Sequence, residues 1–214
     1  KLLHVTNGFF INRSVNQYTD TGLQNMSSCM VAFGANIPGP SGGPLETVKR
    51  AIKELNNFNI FKINQSKIYI SKSFPDKSKP EYINGCLHLE CNFDPYELLK
   101  RLKKIEEIVG RSRAMRWDSR VCDFDILSYE NRVIPNVKTF KYWHALSLER
   151  QILEIPNTLV LPHPRLQDRA FVLKPLADLA PNWTHPILNL KPMEMLNALP
   201  KTERLSVKAS TINF

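Results

Sequence analysis

The 214-residue sequence lacks several features that would assign it to a class at once. Its apolar runs stay well short of the roughly 18 residues that a membrane-spanning helix needs. Its N-terminus is basic but has no sustained apolar stretch, so we expect no secretory signal and no membrane partner. No two of its four cysteines have the two-residue gap of a zinc knuckle or redox motif. We therefore expect buried, reduced thiols and a cytoplasmic location, or a mitochondrial one in a eukaryote.

Familiar catalytic signatures are also missing. No GxxxxGK followed by Ser or Thr is present, although residues 34–44, GANIPGPSGGP, are rich in glycine, and no Ser-His-Asp or HExxH arrangement stands out. What the sequence does have is positive charge, with a net value of +9. Such charge often serves only solubility, but here four arginines lie within residues 110–120, GRSRAMRWDSR. This clustering favours a polyanionic partner, namely nucleic acid, a membrane surface or a nucleotide.

Hydrophobic periodicity predicts strands at 29–36, 60–74, 82–93 and 121–129, and helices at 45–55 and 94–110. The second helix is the clearest, because Asp94 suits the N-cap, Pro95 the first turn and Glu97 a capping box, while Gly110 ends it. Short helices are predicted near 145–153, 169–179 and 193–199. The order of elements predicts a ferredoxin-like α+β fold (βαββαβ), with one antiparallel sheet packed on one side by helices and with extra C-terminal helices.

The fourth predicted strand carries two carboxylates, Asp123 and Asp125, directly after the arginine cluster. Residues two apart on a strand point to one face, so the two carboxylates project together while Cys122, Phe124 and Ile126 face the core. Adjacent carboxylates disfavour each other's ionisation, and a divalent metal such as Mg²⁺, bound together with phosphate oxygens, removes that conflict. The alternative is that the aspartates form salt bridges to Arg116 or Arg120.

The run GRSRAMRWDSRVCDFDIL (110–127) resembles the core motif of the 6-hydroxymethyl-7,8-dihydropterin pyrophosphokinases of folate biosynthesis. AFGANI (32–37), PEYINGCLHLE (80–90) and LPHPRLQDRAFVLKPLADLAP (161–181) resemble the other motifs of that family in the same order. The resemblance covers about residues 29–182. It implies a ferredoxin-like fold and the transfer of pyrophosphate from ATP to the hydroxymethyl oxygen of the pterin, with release of AMP.

The resemblance also implies roles for individual residues. Two Mg²⁺ ions would be held by Asp123 and Asp125, which are implied to be catalytic together with Arg111 and Arg120. ATP would be bound by Glu106, Arg111, Arg113, Trp117, Arg120, Ile126, His163 and Arg169. The pterin would be bound by Ser71, Lys72, Phe74, Tyr82, Asn84 and Phe171. In this scheme Tyr82 and Phe171 stack on the pterin and Asn84 reads its hydrogen-bonding edge; without the resemblance, both aromatics would be interpreted as ordinary core residues.

Residues 1–28 and 183–214 match nothing in the kinase motifs, and we interpret them as an N-terminal extension and a C-terminal segment that could link to another domain. By family analogy, the chain could be a piece of a fusion with dihydroneopterin aldolase or dihydropteroate synthase, which its start at Lys1 would suit. The alternative function is a basic, ferredoxin-like RNA-binding module without catalysis. NGCLHLEC (84–91) lacks the aromatic residues of that class, so we expect no nucleic-acid partner.

Overall fold

The computed structural model of the chain describes residues 26–73, 76–111 and 119–211. Within these ranges the strands are β1 (Ser27–Ala35), β2 (Phe61–Gln65), β3 (Tyr69–Ser71), β4 (Tyr82–Cys91), β5 (Asp123–Tyr129) and β6 (Lys208–Ala209). The α-helices are α1 (Pro44–Glu54), α2 (Pro95–Ile108), α3 (Val137–His144), α4 (Leu148–Leu153), α5 (Ala170–Leu179), α6 (Pro192–Ala198) and α7 (Lys201–Ser206). The predicted roles of Phe74, Arg113 and Trp117, and nearly all of the N-terminal extension, lie outside the described ranges.

The strands form one sheet in the order β5-β1-β4-β3-β6, and β2 also pairs with β4. The central strand β1 runs antiparallel to both neighbours, β4 and β5. The predicted α+β fold with its antiparallel sheet is confirmed. The predicted strand over 60–74 is instead two short strands. At Ser66, between them, the amide still donates to the carbonyl of Cys86 (2.9 Å), but the Ser66 hydroxyl, rather than a backbone carbonyl, accepts from the amide of Cys86 (2.9 Å).

Helices α1 and α2 pack on one face of the sheet and bury the larger part of the core. Leu98, Leu102 and Ile105 form the inner stripe of α2 and are all fully buried. The start of α2 is as predicted, because the side chain of Asp94 accepts from the amides of Tyr96 and Glu97. The carboxylate of Glu97 accepts from Arg101 (2.8 Å), one turn along the helix, instead of completing the predicted capping box.

The prediction that helices cover one side of the sheet is wrong, since a second set packs on the opposite face. Helices α5 and α6 bury Leu173, Leu176 and Met195 there, against Ala32 of β1 and Cys86 of β4. A strand covered on both faces shows a continuous apolar run instead of alternation, and CMVAF in β1 is such a run. The sheet is therefore the middle layer of three.

The C-terminal residues that the structure describes continue this second layer. Val207 is buried in the α5–α6 cluster, and β6 extends the sheet by pairing with Tyr69 and Ile70 of β3. Residues 183–211 thus pack on the same sheet as the predicted kinase region, and their role as a linker stays a prediction. Among the described helices, none has the length and apolar character that crossing a bilayer requires.

Candidate active site

The two strand carboxylates lie together on the face of the sheet that α5 covers. Asp123 and Asp125 have side chains that are 27% and 43% exposed, whereas Phe124 between them is fully buried in the core of the opposite face. The predicted shared orientation of the aspartates is therefore confirmed. The side chain of Ile126 lies in that opposite core. Its predicted contact with the nucleotide stays a prediction.

Positive groups surround Asp123. Its carboxylate pairs with Arg111 Nη1 at 2.6 Å, and Arg120 Nη1 and Lys103 Nζ each lie 3.6 Å from it. The alternative interpretation named Arg116 or Arg120 as partners. Arg116 lies outside the described residues, and Arg120 lies within ion-pair range of Asp123, although Arg111 is closer. These cations lower the repulsion between the two carboxylates and leave a surplus of positive charge around the site, which favours an anionic ligand.

Asp125 is less closely paired. Arg169 Nη1, at the start of α5, lies 3.9 Å from its carboxylate. Burial acts to raise the pKa of Asp125, but the positive charges that face it, among them the guanidinium of Arg169, outweigh burial and hold the pKa below its usual range. Asp125 is therefore an ionised carboxylate with an open side, which is what a cation ligand requires.

Glu106 holds the groups of this cluster in position through its carboxylate. It is fully buried on α2, where its carboxylate accepts from the amide of Phe124 (2.7 Å), from Lys103 Nζ (3.1 Å) and from Arg111. Burial raises the pKa of Glu106, and the ammonium of Lys103 opposes that shift. Both of its oxygens are bound to protein groups, so Glu106 fixes the position of Arg111 and of strand β5. Its predicted contact with a nucleotide stays a prediction.

The segment between β5 and α5 brings His163 beside the same strand. The amide of His163 donates to the carbonyl of Leu127 (2.8 Å), and its Nδ1 accepts from the amide of Arg165 (3.1 Å). Burial lowers the pKa of His163 to about 4, so the ring is neutral near pH 7. With Nδ1 acting as acceptor, the ring proton is on Nε2, which makes Nε2 a hydrogen-bond donor. His163 and Arg169 therefore both lie near Asp125, and their predicted contacts with ATP stay a prediction.

The residues predicted to bind the pterin lie on the same face, two strands away. Asn84 is 4% exposed, and its Nδ2 donates to Ser71 Oγ (3.0 Å) and to the backbone carbonyls of Tyr69 and Tyr82. Ser71 is itself buried and supports the Asn84 amide, while Lys72 is exposed. Tyr82 precedes Asn84 by two residues on β4, and Phe171 packs on this face from the first turn of α5. Both rings thus lie on the same face of the sheet as Asn84, and their stacking on the pterin stays a prediction.

The sheet register joins the two halves of the site. Gly34 of β1 pairs with Asn84 of β4 on one side and with Asp123 of β5 on the other. Because neighbouring strands lie about 4.8 Å apart, the backbones of Asn84 and Asp123 are separated by about 10 Å across the sheet. A bicyclic ring held at Asn84 could therefore present a one-carbon arm towards groups held at Asp123.

Comparison with known proteins gives a family match for most of the chain. Residues 30–181 match the family model for 7,8-dihydro-6-hydroxymethylpterin-pyrophosphokinase (HPPK). The chain belongs to this family. It is 33% identical over 164 residues to the 2-amino-4-hydroxy-6-hydroxymethyldihydropteridine pyrophosphokinase of Synechocystis sp., an alignment that covers 76% of this chain and 71% of the relative. It is 27% identical to the folic acid synthesis protein fol1 of Schizosaccharomyces pombe, over 92% of this chain but 24% of that protein.

The fold is similar to that of HPPK-DHPS from Plasmodium falciparum. The wild-type crystal structure superposes with a TM-score of 0.53 at 17% identity, over 81% of this chain and 44% of that one. This chain thus spans less than half the length of that solved relative. At such low identity the likeness concerns the fold alone.

One residue of this HPPK-family site was missed by sequence reasoning. Asn36, directly after β1, is 2% exposed, and its Oδ1 accepts from the amide of Arg120 (2.7 Å). Its Nδ2 donates to the carbonyl of Pro80 (3.1 Å) and to Ser119 Oγ (3.3 Å). Asn36 therefore ties the segment before β4 to the residues just before β5, and so sets the position of Arg120. The glycine-rich stretch around Asn36 does not indicate this positioning role. Only the burial of Asn36 reveals it, because a buried asparagine requires hydrogen-bond partners.

Proposed function

We propose that this chain transfers pyrophosphate from ATP to the hydroxymethyl group of 6-hydroxymethyl-7,8-dihydropterin and releases AMP, as a step of folate biosynthesis. The observation that carries the proposal is the register that sets Asn84, Gly34 and Asp123 in one row on one face of the sheet. The membership of the family and the cations around Asp123 support it. In the reaction, the hydroxymethyl oxygen bonds to the β-phosphorus while the bond from that phosphorus to the oxygen of the α-phosphate breaks.

The residues present suit Mg²⁺ as the metal. Asp123 and Asp125 would hold the ions, two of them in our proposal, and within the described ranges no group of three His, Cys, Asp or Glu side chains forms a closed metal cage. Mg²⁺ is commonly held by one or two carboxylates together with waters and substrate phosphates. When bound, it supplies charge neutralisation and orientation of the phosphate chain.

The arginines would act on the phosphate oxygens themselves. The guanidinium of Arg120 lies near the carboxylate that faces the proposed phosphate position, and planar guanidinium groups grip phosphate oxygens through paired hydrogen bonds. Arg111 is held by Glu106 while it pairs with Asp123, so its charge stays beside the site whether or not a ligand is bound. The neutral His163 would donate a hydrogen bond from Nε2, and Arg169 would add charge from the α5 side.

The pterin would lie flat between Tyr82 and Phe171. Its hydrogen-bonding edge would meet Asn84, whose amide can donate and accept at the same time. Ser71 has a supporting part here, because its hydroxyl fixes the amide group of Asn84. In this proposal, residues of β4 and α5 bind the pterin, whereas residues of β5 and those just before it act on the phosphates.

RNA binding is the weaker candidate. RNA-recognition domains of this topology bind RNA on an open sheet face through exposed aromatic residues on the central strands. Here helices α1 and α2 cover one face, and α5 and α6 cover much of the other.

Two further parts of the proposal concern the cellular location of the enzyme and its fusion to another domain. A cytoplasmic location is supported by the four cysteines, all buried and free, as expected in a reducing compartment. Fusion to a second folate-pathway domain is supported by the Plasmodium falciparum HPPK-DHPS chain, of which this chain covers 44%. The size of the endogenous polypeptide on an immunoblot tests the fusion.

Product analysis tests the reaction. Incubation with ATP, Mg²⁺ and the hydroxymethyl pterin should yield AMP and a diphosphorylated pterin in equal amounts, resolved by chromatography and ³¹P NMR. Omission of the pterin should abolish AMP formation. Formation of ADP with a singly phosphorylated pterin, or AMP production that ignores the pterin, would contradict the proposed transfer.

A further inference from the structure

Strand β1 has a glycine in its interior, at position 34. Glycine weakens a strand, because it loses more backbone freedom on folding and offers no side chain to pack. Where glycine stands inside a strand, it commonly marks a bulge, a bend, or the close approach of a backbone or a ligand. A glycine at this position therefore has either a structural or a functional reason.

The fold does not require glycine at this position. Pairing with β4 is continuous through Gly34, and the irregularity in the pairing with β5 lies between Met30 and Val31. The φ angle of Gly34 is outside the positive region, and a Cβ built on it would meet its nearest described neighbours at 3.7 Å or more, which is ordinary contact. Gly85 is different, since a Cβ there would lie 2.2 Å from the ring of Phe33.

The space beside Gly34 belongs to the site. The two nearest atoms to a Cβ at position 34 are Asn84 Oδ1 and Tyr82 Cδ1, both at 3.7 Å. A methyl group there would thus touch the ring and the amide that are proposed to receive the pterin. It would also stand in the row between Asn84 and Asp123.

We infer that Gly34 is a specificity-determining position: its missing side chain keeps open the space through which a flat bicyclic substrate lies against Tyr82 and Asn84 and extends its hydroxymethyl arm towards Asp123. The inference rests on the proposed function and deepens it. A substrate atom that stacks on Tyr82 and bonds to Asn84 Oδ1 needs the volume that a methyl group on residue 34 would fill. None of the residues on the nucleotide side, Arg120, Arg169 and His163, is among the nearest described neighbours of that methyl group.

Gly34→Ala tests this inference, with Gly43→Ala as the matched control. Gly43 is the N-cap of α1, and a methyl group there would meet only the end of the Glu46 side chain. We expect Gly34→Ala to retain the unfolding midpoint of the wild type and its affinity for a non-hydrolysable ATP analogue with Mg²⁺. Its affinity for a pterin analogue, measured with that nucleotide present, should fall roughly tenfold or more, the scale of one methylene misplaced in a pocket. Gly34→Val should fall further, and Gly43→Ala should match the wild type.

Each other outcome counts against the inference. Equal pterin affinity in Gly34→Ala and the wild type would overturn it and leave the proposed function standing. A large loss of stability in Gly34→Ala would show that the fold requires the glycine, and a parallel loss of nucleotide affinity would show that the effect is not specific to the pterin. If the wild type itself binds no pterin in the presence of nucleotide, the proposed function fails and the inference fails with it.

Discussion

Replacing Glu106 with glutamine should destabilise the domain, because the carboxylate is fully buried and holds three partners at once. Glutamine is nearly isosteric and can still accept from the amide of Phe124, but it has no charge to offer Lys103 and Arg111. Hydrogen bonds to charged groups contribute about 1.5–3 kcal/mol, and breaking a fully buried ion pair costs about 3–5 kcal/mol. Burial of the charge, which raises the pKa of Glu106, offsets part of this cost, and the 22% exposed side chain of Arg111 keeps Asp123 as a partner. We therefore expect a loss at the lower end, about 1.5 kcal/mol.

The adjacent residue supplies the control. Glu107 lies on the outer side of α2, is 57% exposed and pairs with Lys104 at 3.0 Å. An exposed pair of this kind contributes about 0.2–1 kcal/mol, so Glu107→Gln should change the free energy of unfolding little. Glu106→Leu should cost about 1–3 kcal/mol beyond Glu106→Gln, because it also leaves the amide of Phe124 without an acceptor.

Urea unfolding followed by circular dichroism measures all three variants. Turnover of Glu106→Gln should also fall, since the position of Arg111 depends on the carboxylate. Equal stabilities for Glu106→Gln and Glu107→Gln would refute the reasoning that Glu106 anchors the cluster.

Three further predictions concern the acidic pair, an arginine and a buried histidine. Asp123→Ala and Asp125→Ala should each abolish most AMP formation while circular dichroism shows an intact fold, and near-wild-type AMP formation in either folded variant would exclude the metal assignment. Arg120→Ala should lower kcat more than it weakens ATP binding, because charge on the transferred group changes in the transition state; an effect confined to the KM for ATP would contradict this. Burial lowers the pKa of His185 to about 4 from an ordinary 6.5. The unfolded chain therefore takes up a proton first, and stability should be lost as pH falls from about 6.5 towards 4, by at most about 1.4 kcal/mol per pH unit. In His185→Asn, which retains an acceptor for the amides of Ile187 and Leu188 but does not titrate, urea unfolding should show a weaker dependence on pH, and parallel curves would contradict the assignment.

Local signals explain the parts of the fold that sequence reasoning predicted correctly. Helix α2 was predicted because Asp94, Pro95 and Gly110 mark its ends within its own sequence. The shared face of Asp123 and Asp125 was predicted because strand periodicity depends on nothing distant. The helices on the second face were missed, although the unbroken apolar run of β1 was the available signal.

The organisation of the site depended on contacts that periodicity cannot show. Glu106 has the local pattern of an ordinary helix residue, and its burial follows from partners at Phe124 and Arg111 that only the folded chain brings near. Asn36 joins segments that lie 44 and 84 residues away. The alignment of Asn84 with Asp123 is likewise a property of the sheet register, which no single segment specifies.

Calorimetric titration with a pterin analogue tests the central claim most directly, when it is performed with and without a non-hydrolysable ATP analogue and Mg²⁺. Our account predicts clear pterin binding in the presence of nucleotide and Mg²⁺, with affinity that falls in Tyr82→Ala, Phe171→Ala and Asn84→Ala while nucleotide affinity changes little. Tyr142→Ala, on an exposed tyrosine of α3, should behave as the wild type. A wild-type protein that shows no nucleotide-dependent pterin binding would contradict the assignment of this chain as a working pterin pyrophosphokinase.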